Sequence, residues 1–241
     1  MRRFYSTQPL QPQTDIQLEG QVARHMLQVL RMQPGETCVL FDGQSSYPAE
    51  LLGGRKDQAQ LRLGAPLPVL PPSPVQTHLG QAISKGDKMD WVVQKAVELG
   101  VTAITPLYTQ QGDVRLKPDR ELKKWQQWQQ IALSACEQCG RDDLPVIHPP
   151  QKLADWLVAR EEALKLVLHP HLTPAGLPAQ PAPASVALLI GPEGGLTEQE
   201  VTQAQSAGWS GLRLGPRILR TETAPVAALA LVQHLWGDWT N

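Results

Sequence analysis

Five prolines, Pro66, Pro68, Pro71, Pro72 and Pro74, fall within nine residues, and this run restricts the folds open to the chain more than any other feature. Proline fixes φ and carries no amide hydrogen, so neither a helix nor an inner strand can continue through such a segment. The run is expected to act as a linker. It predicts a boundary near residue 72, with one domain over 1–71 and a second over 72–241.

Before the prolines the pattern is one of short strands and turns. An apolar run over 38–41 meets the Asp42-Gly43 turn, and further strands are expected over 47–52 and 59–63. Beyond residue 74 the pattern changes to alternating strands and helices, which favours a mostly parallel sheet covered by helices. Val75, Thr77, Leu79 and Gln81 read as a strand, and Asp87 as the cap of a helix carrying Met89, Val92, Val93, Ala96 and Leu99, ended by Gly100. Strands are expected over 101–107 and 165–168, with a long helix after Pro118 between them. Val186, Ala187, Leu188, Leu189 and Ile190 are consecutive apolar residues, as in a strand covered on both faces. Thr197 and Glu200 have capping-box spacing, Gly208 ends that helix, a strand is expected over 212–214, and Pro225 opens a last apolar helix.

With 241 residues, 41% of them hydrophobic, the chain can build one large or two small cores. The start has no apolar stretch behind its two arginines, and no run is long enough to span a bilayer, so a cytoplasmic protein without a membrane segment is expected. Three cysteines argue against a disulfide framework. A net charge of −1 gives no general attraction to nucleic acid, so any such binding depends on local clusters. Arg2, Arg3, Arg24 and Arg31 form one, and Arg213, Arg217 and Arg220 another.

Two connections stand out. Gly191-Pro192-Glu193-Gly194-Gly195 lies between a buried strand and a capped helix, where open α/β sheets place ligands. Its spacing matches neither the dinucleotide fingerprint nor the P-loop, which favours a ligand other than a phosphate and disfavours a phosphate-binding enzyme. The second connection, 214–225, again follows a strand and precedes a helix, and crowds Arg217, Arg220, Thr221, Glu222 and Thr223 into one loop. Its Ile218 and Leu219 suggest a segment tucked against the core while presenting Arg220 and Glu222. Cys136 and Cys139 have redox-motif spacing but sit late in a helix, away from the helix start that favours a thiolate. The histidines, His169 and His171 among them, form no metal-ligand pattern, and no metal is expected.

Together, the two loops look like the cofactor loops of the SPOUT methyltransferases. Further motifs narrow the resemblance: Met1-Arg2-Arg3-Phe4, His25 with Val29-Leu30-Arg31, Phe41-Asp42-Gly43, Lys88-Met89 with Gln94-Lys95 and Glu98-Leu99-Gly100, and Glu137-Gln138-Cys139-Gly140-Arg141. The chain resembles, over nearly its whole length, the RsmE family of 16S rRNA uridine-N3 methyltransferases.

The resemblance implies an N-terminal PUA-like β-barrel and a C-terminal SPOUT α/β domain with a deep trefoil knot over about 186–236. It also implies a homodimer, and as partner the 16S rRNA of the small ribosomal subunit, methylated at N3 of uridine-1498. S-adenosylmethionine would be held by Leu168, His169, Ile190, Gly191, Pro192, Glu193, Gly194, Gly195, Leu214, Gly215, Ile218, Leu219, Thr221 and Thr223, with the 168–170 turn nearby. Arg2, Arg3, Arg24, Arg31 and Arg217 are the expected RNA contacts. Relatives carry two charges where this chain reads Thr109-Gln110-Gln111-Gly112; if that loop contacts RNA or the neighbouring subunit's site, this chain is expected to bind more weakly or to rely on Arg115 and Lys117 instead. That departure also keeps open a non-catalytic rRNA-binding assembly factor of the same fold.

Because N3 of uridine is neutral near pH 7, the chemistry requires help with its proton. A cation about 4 Å from the developing anion contributes on the order of 4 kcal/mol at an effective dielectric of 20. Arg220 is expected in that role. Glu222 reads as a proton acceptor, a partner to arginine or a cap for the last helix.

Overall fold

The structure, a computed structural model, describes residues 1–169, 172, 177 and 181–239. Pro170 and His171, singled out above, lie outside the described residues. The chain forms two compact units, residues 1–71 with 136–144, and residues 72–135 with 145 onward.

In the first unit, β1 (Arg3–Tyr5), β2 (Asp15–Glu19), β3 (Thr37–Phe41), β4 (Ser46–Arg55) and β5 (Gln58–Leu63) form one sheet in the order β1-β3-β4-β5-β2. β1 is parallel to β3 and the other pairings are antiparallel. With β1 and β2 at its two edges, this sheet is an open half-barrel. Alternation places Cys38, Leu40, Ala49, Leu51, Leu61 and Leu63 on one core, which Ala23 and Met26 complete from α1 (Gly20–Arg24) and the π-helical turn that continues it.

Residues 136–144 belong to this unit through the first strand. The Arg3 guanidinium lies 4.9 Å from the Phe41 ring centroid and donates to Asp142 Oδ1 at 2.5 Å. Glu137 Oε1 accepts from the Tyr5 amide at 3.2 Å. Two motifs far apart in sequence are thus one packed assembly.

No helix or strand forms between Pro66 and Pro74, as the prolines require. In the second unit, β6 (Gln76–Ala82) leads to α2 (Lys88–Glu98), β7 (Ala103–Tyr108), α3 (Pro118–Cys139, which ends in the first unit), β8 (Val146–Ile147) and β9 (Gln151–Lys152). Then come α4 (Leu153–Val158), β10 (Leu164–Leu168), β11 (Ser185–Ile190), α5 (Glu198–Ser206), β12 (Ser210–Leu212) and α6 (Thr223–Trp236). The sheet is parallel throughout, in the order β12-β10-β11-β6-β7-β8, with β9 also pairing β7.

The apolar run 186–190 is central and fully buried, covered on both faces. Ala187 and Leu189 join Leu153, Trp156 and Leu157 of α4 and Val201 and Ala204 of α5 in one cluster. Val186, Leu188 and Ile190 face the other way, where α6 crosses β11 and β6 and packs on α2.

Several local expectations shift. The last strand is Ser210–Leu212, two residues earlier than predicted, because it pairs with β10 through 166–168. The last helix begins at Thr223, which leaves Pro225 in the first turn, where a missing amide hydrogen costs nothing. Asp87 occupies the cap position of α2 without a side-chain cap bond. The Thr197–Glu200 capping box forms, and Gly100 and Gly208 adopt the positive φ of helix-ending glycines. Cys136 is buried, and desolvation pushes its thiol up to about 12, which opposes a thiolate.

The Trp156 indole lies flat over Gly80 of β6, where an added Cβ would stand 2.3 Å from the ring. Trp156→Ala should therefore lower the unfolding free energy by about 3–5 kcal/mol through the cavity it leaves. Gly80→Ala should lower it by about 1–3 kcal/mol through overpacking. Urea denaturation monitored by circular dichroism measures both.

Candidate functional site

Parallel register aligns the ends of four strands. Leu212, Leu168, Ile190 and Gln81 form one row across β12, β10, β11 and β6. Each is the last or next-to-last residue of its strand, so the chain leaves the sheet at the same end each time. The loops after β11 and β12 meet there.

The first loop turns at Gly195, whose φ of +78° is a conformation that side chains with a Cβ rarely adopt. The Gly195 amide bonds the Pro192 carbonyl at 2.9 Å, and the loop runs directly into the capped start of α5. Gly191 packs closely under Leu196, where an added Cβ would lie 3.1 Å from Cγ. The second loop returns across the first. Thr221 Oγ1 donates to the Gly191 carbonyl at 2.7 Å and accepts from Gln81 Nε2 at 3.1 Å. Gln81 is fully buried, and its Oε1 has no hydrogen-bond partner.

A cleft of about 640 Å³ opens between the loops. Leu168, His169, Ile190, Gly191, Pro192, Glu193, Gly194, Gly195, Ile218, Leu219, Arg220, Thr221 and Glu222 all line it. A neighbouring pocket of about 310 Å³ shares Leu168, His169, Ile218 and Leu219, and adds Leu214, Gly215 and Arg217. Residues remote in sequence are thereby brought together as expected. Thr223 is the exception: it is exposed at the start of α6 and lines neither cavity.

Other expectations are corrected. Ile218 is 84% exposed at the rim and not tucked against the core, because the second loop bows outward. Glu222 stands at the cap position of α6 but makes no side-chain cap bond, which removes the helix-cap reading. Its nearest cation is Lys88, with Nζ 3.8 Å from Oε2. Arg3 is held inside the first unit by Phe41 and Asp142, with its side chain 16% exposed, which withdraws it from the expected RNA-contact set. Arg2, Arg24 and Arg31 are exposed; Arg2 and Arg24 make loose surface pairs with Glu36 and Asp57 at 3.6 and 3.5 Å. Such pairs contribute little and give way readily to phosphate. Arg115 bonds the carbonyls of Thr109 and Gly112, each at 2.7 Å, so it braces that loop.

In the sequence Gln81 stands out only as a strand residue, and Lys88 and Gln111 only as parts of motifs. Lys88 and Gln111 line the larger cleft. Lys88 Nζ donates to Glu193 Oε1 at 2.9 Å. That hydrogen bond is the largest influence raising the Lys88 pKa. Burial works to raise the Glu193 carboxyl, but the Lys88 bond and backbone donors outweigh it and hold it below the usual range. The 109–112 segment docks through its backbone: the Gln110 amide donates to Glu200 Oε1 at 2.7 Å, the same carboxylate that closes the α5 capping box. The available sign of Gln81 was a polar residue near the end of a buried strand.

Among the described residues no group of three or more His, Cys, Asp or Glu side chains could hold a metal ion. No helix there is long and apolar enough to cross a membrane.

Comparison with known proteins matches residues 71–233 to the RNA methyltransferase domain and residues 18–64 to the RNA methyltransferase PUA domain. The chain is similar to the ribosomal RNA small subunit methyltransferase E of Bacillus subtilis, at 30% identity over 97% of this chain and 96% of that protein. The protein of that name from Buchnera aphidicola subsp. Acyrthosiphon pisum is 38% identical, over 69% of this chain and 66% of its own length. A crystal structure of the Neisseria gonorrhoeae ribosomal RNA small subunit methyltransferase E bound to S-adenosyl methionine is 39% identical and superimposes with a TM-score of 0.91, over 99% of both chains. The two loops, their shared cleft and these matches agree, and the chain belongs to the RNA methyltransferase family, within its ribosomal RNA small subunit methyltransferase E group.

Proposed function

We propose that this protein transfers a methyl group from S-adenosylmethionine to N3 of uridine-1498 of 16S rRNA in the small ribosomal subunit. The observation that carries the reading is the cleft itself, about 640 Å³ between two loops that Thr221 knits together. That volume suits a nucleoside-sized ligand. Its walls combine Leu168, Ile190 and Leu196 with the exposed backbone of a glycine-rich turn and with a buried, unpartnered Gln81 oxygen beneath Thr221. The donor set fits S-adenosylmethionine. Residues 191–195 with Leu168, Leu219 and Thr221 would hold it, and when bound it supplies a methyl carbon activated by a positive sulfur.

The protein's own part is alignment, exclusion of water and management of one proton. Arg220 lines the cleft and would stabilise the negative charge that develops on the uracil ring as N3 loses its proton. Glu222, two residues on, lines the cleft, makes no cap bond and would take that proton. Arg2, Arg24 and Arg31 would dock RNA backbone while the target base enters the cleft, with Arg217 at the smaller pocket as a further phosphate contact.

The reading extends to a deep trefoil knot over about 186–236, in a homodimer that works in the cytoplasm. The knot is supported by β10 lying between β11 and β12 while the second loop crosses back over the first. The dimer is supported by Trp91 of α2 and Leu235 of α6, each 41% exposed on helices that pack together.

Undermethylated small ribosomal subunits incubated with the protein and S-adenosylmethionine should yield 3-methyluridine, read by nucleoside mass spectrometry. Cofactor binding without that product would point to another methylated position, and absence of both would favour a non-catalytic rRNA-binding factor. Arg220→Ala should lower single-turnover methyl transfer by roughly a hundredfold or more, with a much smaller change in cofactor affinity by calorimetry. Replacing Arg2, Arg24 and Arg31 together by alanine should flatten the plot of log affinity against log salt by about two units. An unchanged slope would place the RNA elsewhere.

A further inference from the structure

Lys88 is the first residue of α2, outside both cofactor loops, yet its ammonium reaches each of them. It donates to Glu193 in the loop after β11 and stands 3.8 Å from Glu222 Oε2 in the loop before α6. The second contact exceeds hydrogen-bond length. Glu222 Oε2 is sealed from water and has no hydrogen-bond donor. A carboxylate that spends no oxygen on a cap or a donor while lining a ligand cleft is unusual.

Because Oε2 faces Lys88 and is closed to solvent, a proton arriving from the cleft goes to Oε1. The other titratable or charged groups along the cleft are Glu193, Arg220 and His169, and Arg220 acts against Lys88 by repulsion.

We propose that Lys88 is a positioning residue for methyl transfer, tying the two loops through Glu193 and Glu222 and fixing Glu222 so that Oε1 is presented to the N3 proton of the target base. This rests on the reading given under Proposed function. The N3–H electron pair stays on nitrogen as the proton passes to Oε1, and Glu222 later returns that proton to water.

The test pairs the pH dependence of single-turnover methyl transfer with a ¹³C NMR titration of the Glu222 carboxyl in the cofactor-free protein, assigned with Glu222→Gln. A group that must be ionised gives a limb lost as pH falls through its pKa. Removing the neighbouring ammonium raises that pKa, so the limb moves to higher pH. Lys88→Met, and Lys88→Gln as a second neutral variant, should move the limb and the NMR titration upward together by about one pH unit. At a pH below the limb the rate should fall about tenfold, while cofactor affinity falls by less. Lys88→Arg should restore both midpoints. If wild type forms 3-methyluridine but its limb coincides with that of the neutral variants, or the Glu222 titration does not move, the role of Lys88 is overturned and methyl transfer stands. A limb that shifts in His169→Asn and not in the Lys88 variants also overturns it. A wild-type protein that forms no 3-methyluridine overturns the reading beneath the proposal, and the positioning role with it.

Discussion

Parallel strand pairing obliges the chain to leave every strand of the second sheet at the same end, and the site exists because of that constraint. With β10 between β11 and β12, the loops that follow β11 and β12 emerge on either side of Leu168 and have to share one space. The Thr221 hydroxyl joins them, giving its proton to the Gly191 carbonyl and taking one from Gln81 in the floor. An amide buried at a strand end would be costly without partners; its Nε2 donates to Thr221 and to the Ala82 carbonyl, while Gln81 Oε1 stays unbonded. The cleft is therefore built from apolar side chains, backbone and neutral polar groups, with charged side chains at Lys88, Glu193, Arg220 and Glu222.

Charge at that rim is arranged so that each group is influenced by others from different parts of the chain. Lys88 comes from α2, Glu193 from the first loop, and Arg220 and Glu222 from the second. Ion pairs this exposed add little to stability, and their geometry joins the start of α2 to both loops. The Gln110-Gln111-Gly112 departure fits the same economy. That segment is fastened to α5 through the Gln110 backbone amide and braced by Arg115, neither of which depends on a charged side chain at 110 or 111. Gln111 is left to line the cleft beside Gly194.

The first unit shows how a basic cluster read along the chain divides in space. Arg3 is spent on Phe41 and Asp142, where it ties 136–144 to β1, and Arg2, Arg24 and Arg31 remain exposed. Nothing in the local sequence separates Arg2 from Arg3. Tertiary packing does: Arg3 lies in β1 against Phe41 and Asp142, whereas Arg2 precedes the strand.

Local signals determined a good deal of this protein. The proline run, the five-residue apolar strand, the Thr197–Glu200 capping box and the helix-ending glycines each depend on backbone geometry or on burial patterns a few residues long, and each formed where its residues stood. The two glycine- and arginine-bearing loops were legible as a site for the same reason, and the motifs around them pointed to the family. Tertiary structure decided what depends on partners distant in the chain. It moved the last strand to the register β10 imposes, exposed Ile218, left Glu222 without a cap bond, and brought Lys88, Gln81 and Gln111 to loops more than eighty residues away. Periodicity reports which face of an element is buried; it carries no information about which other element arrives on that face, and the chemistry of this cleft is set by those arrivals.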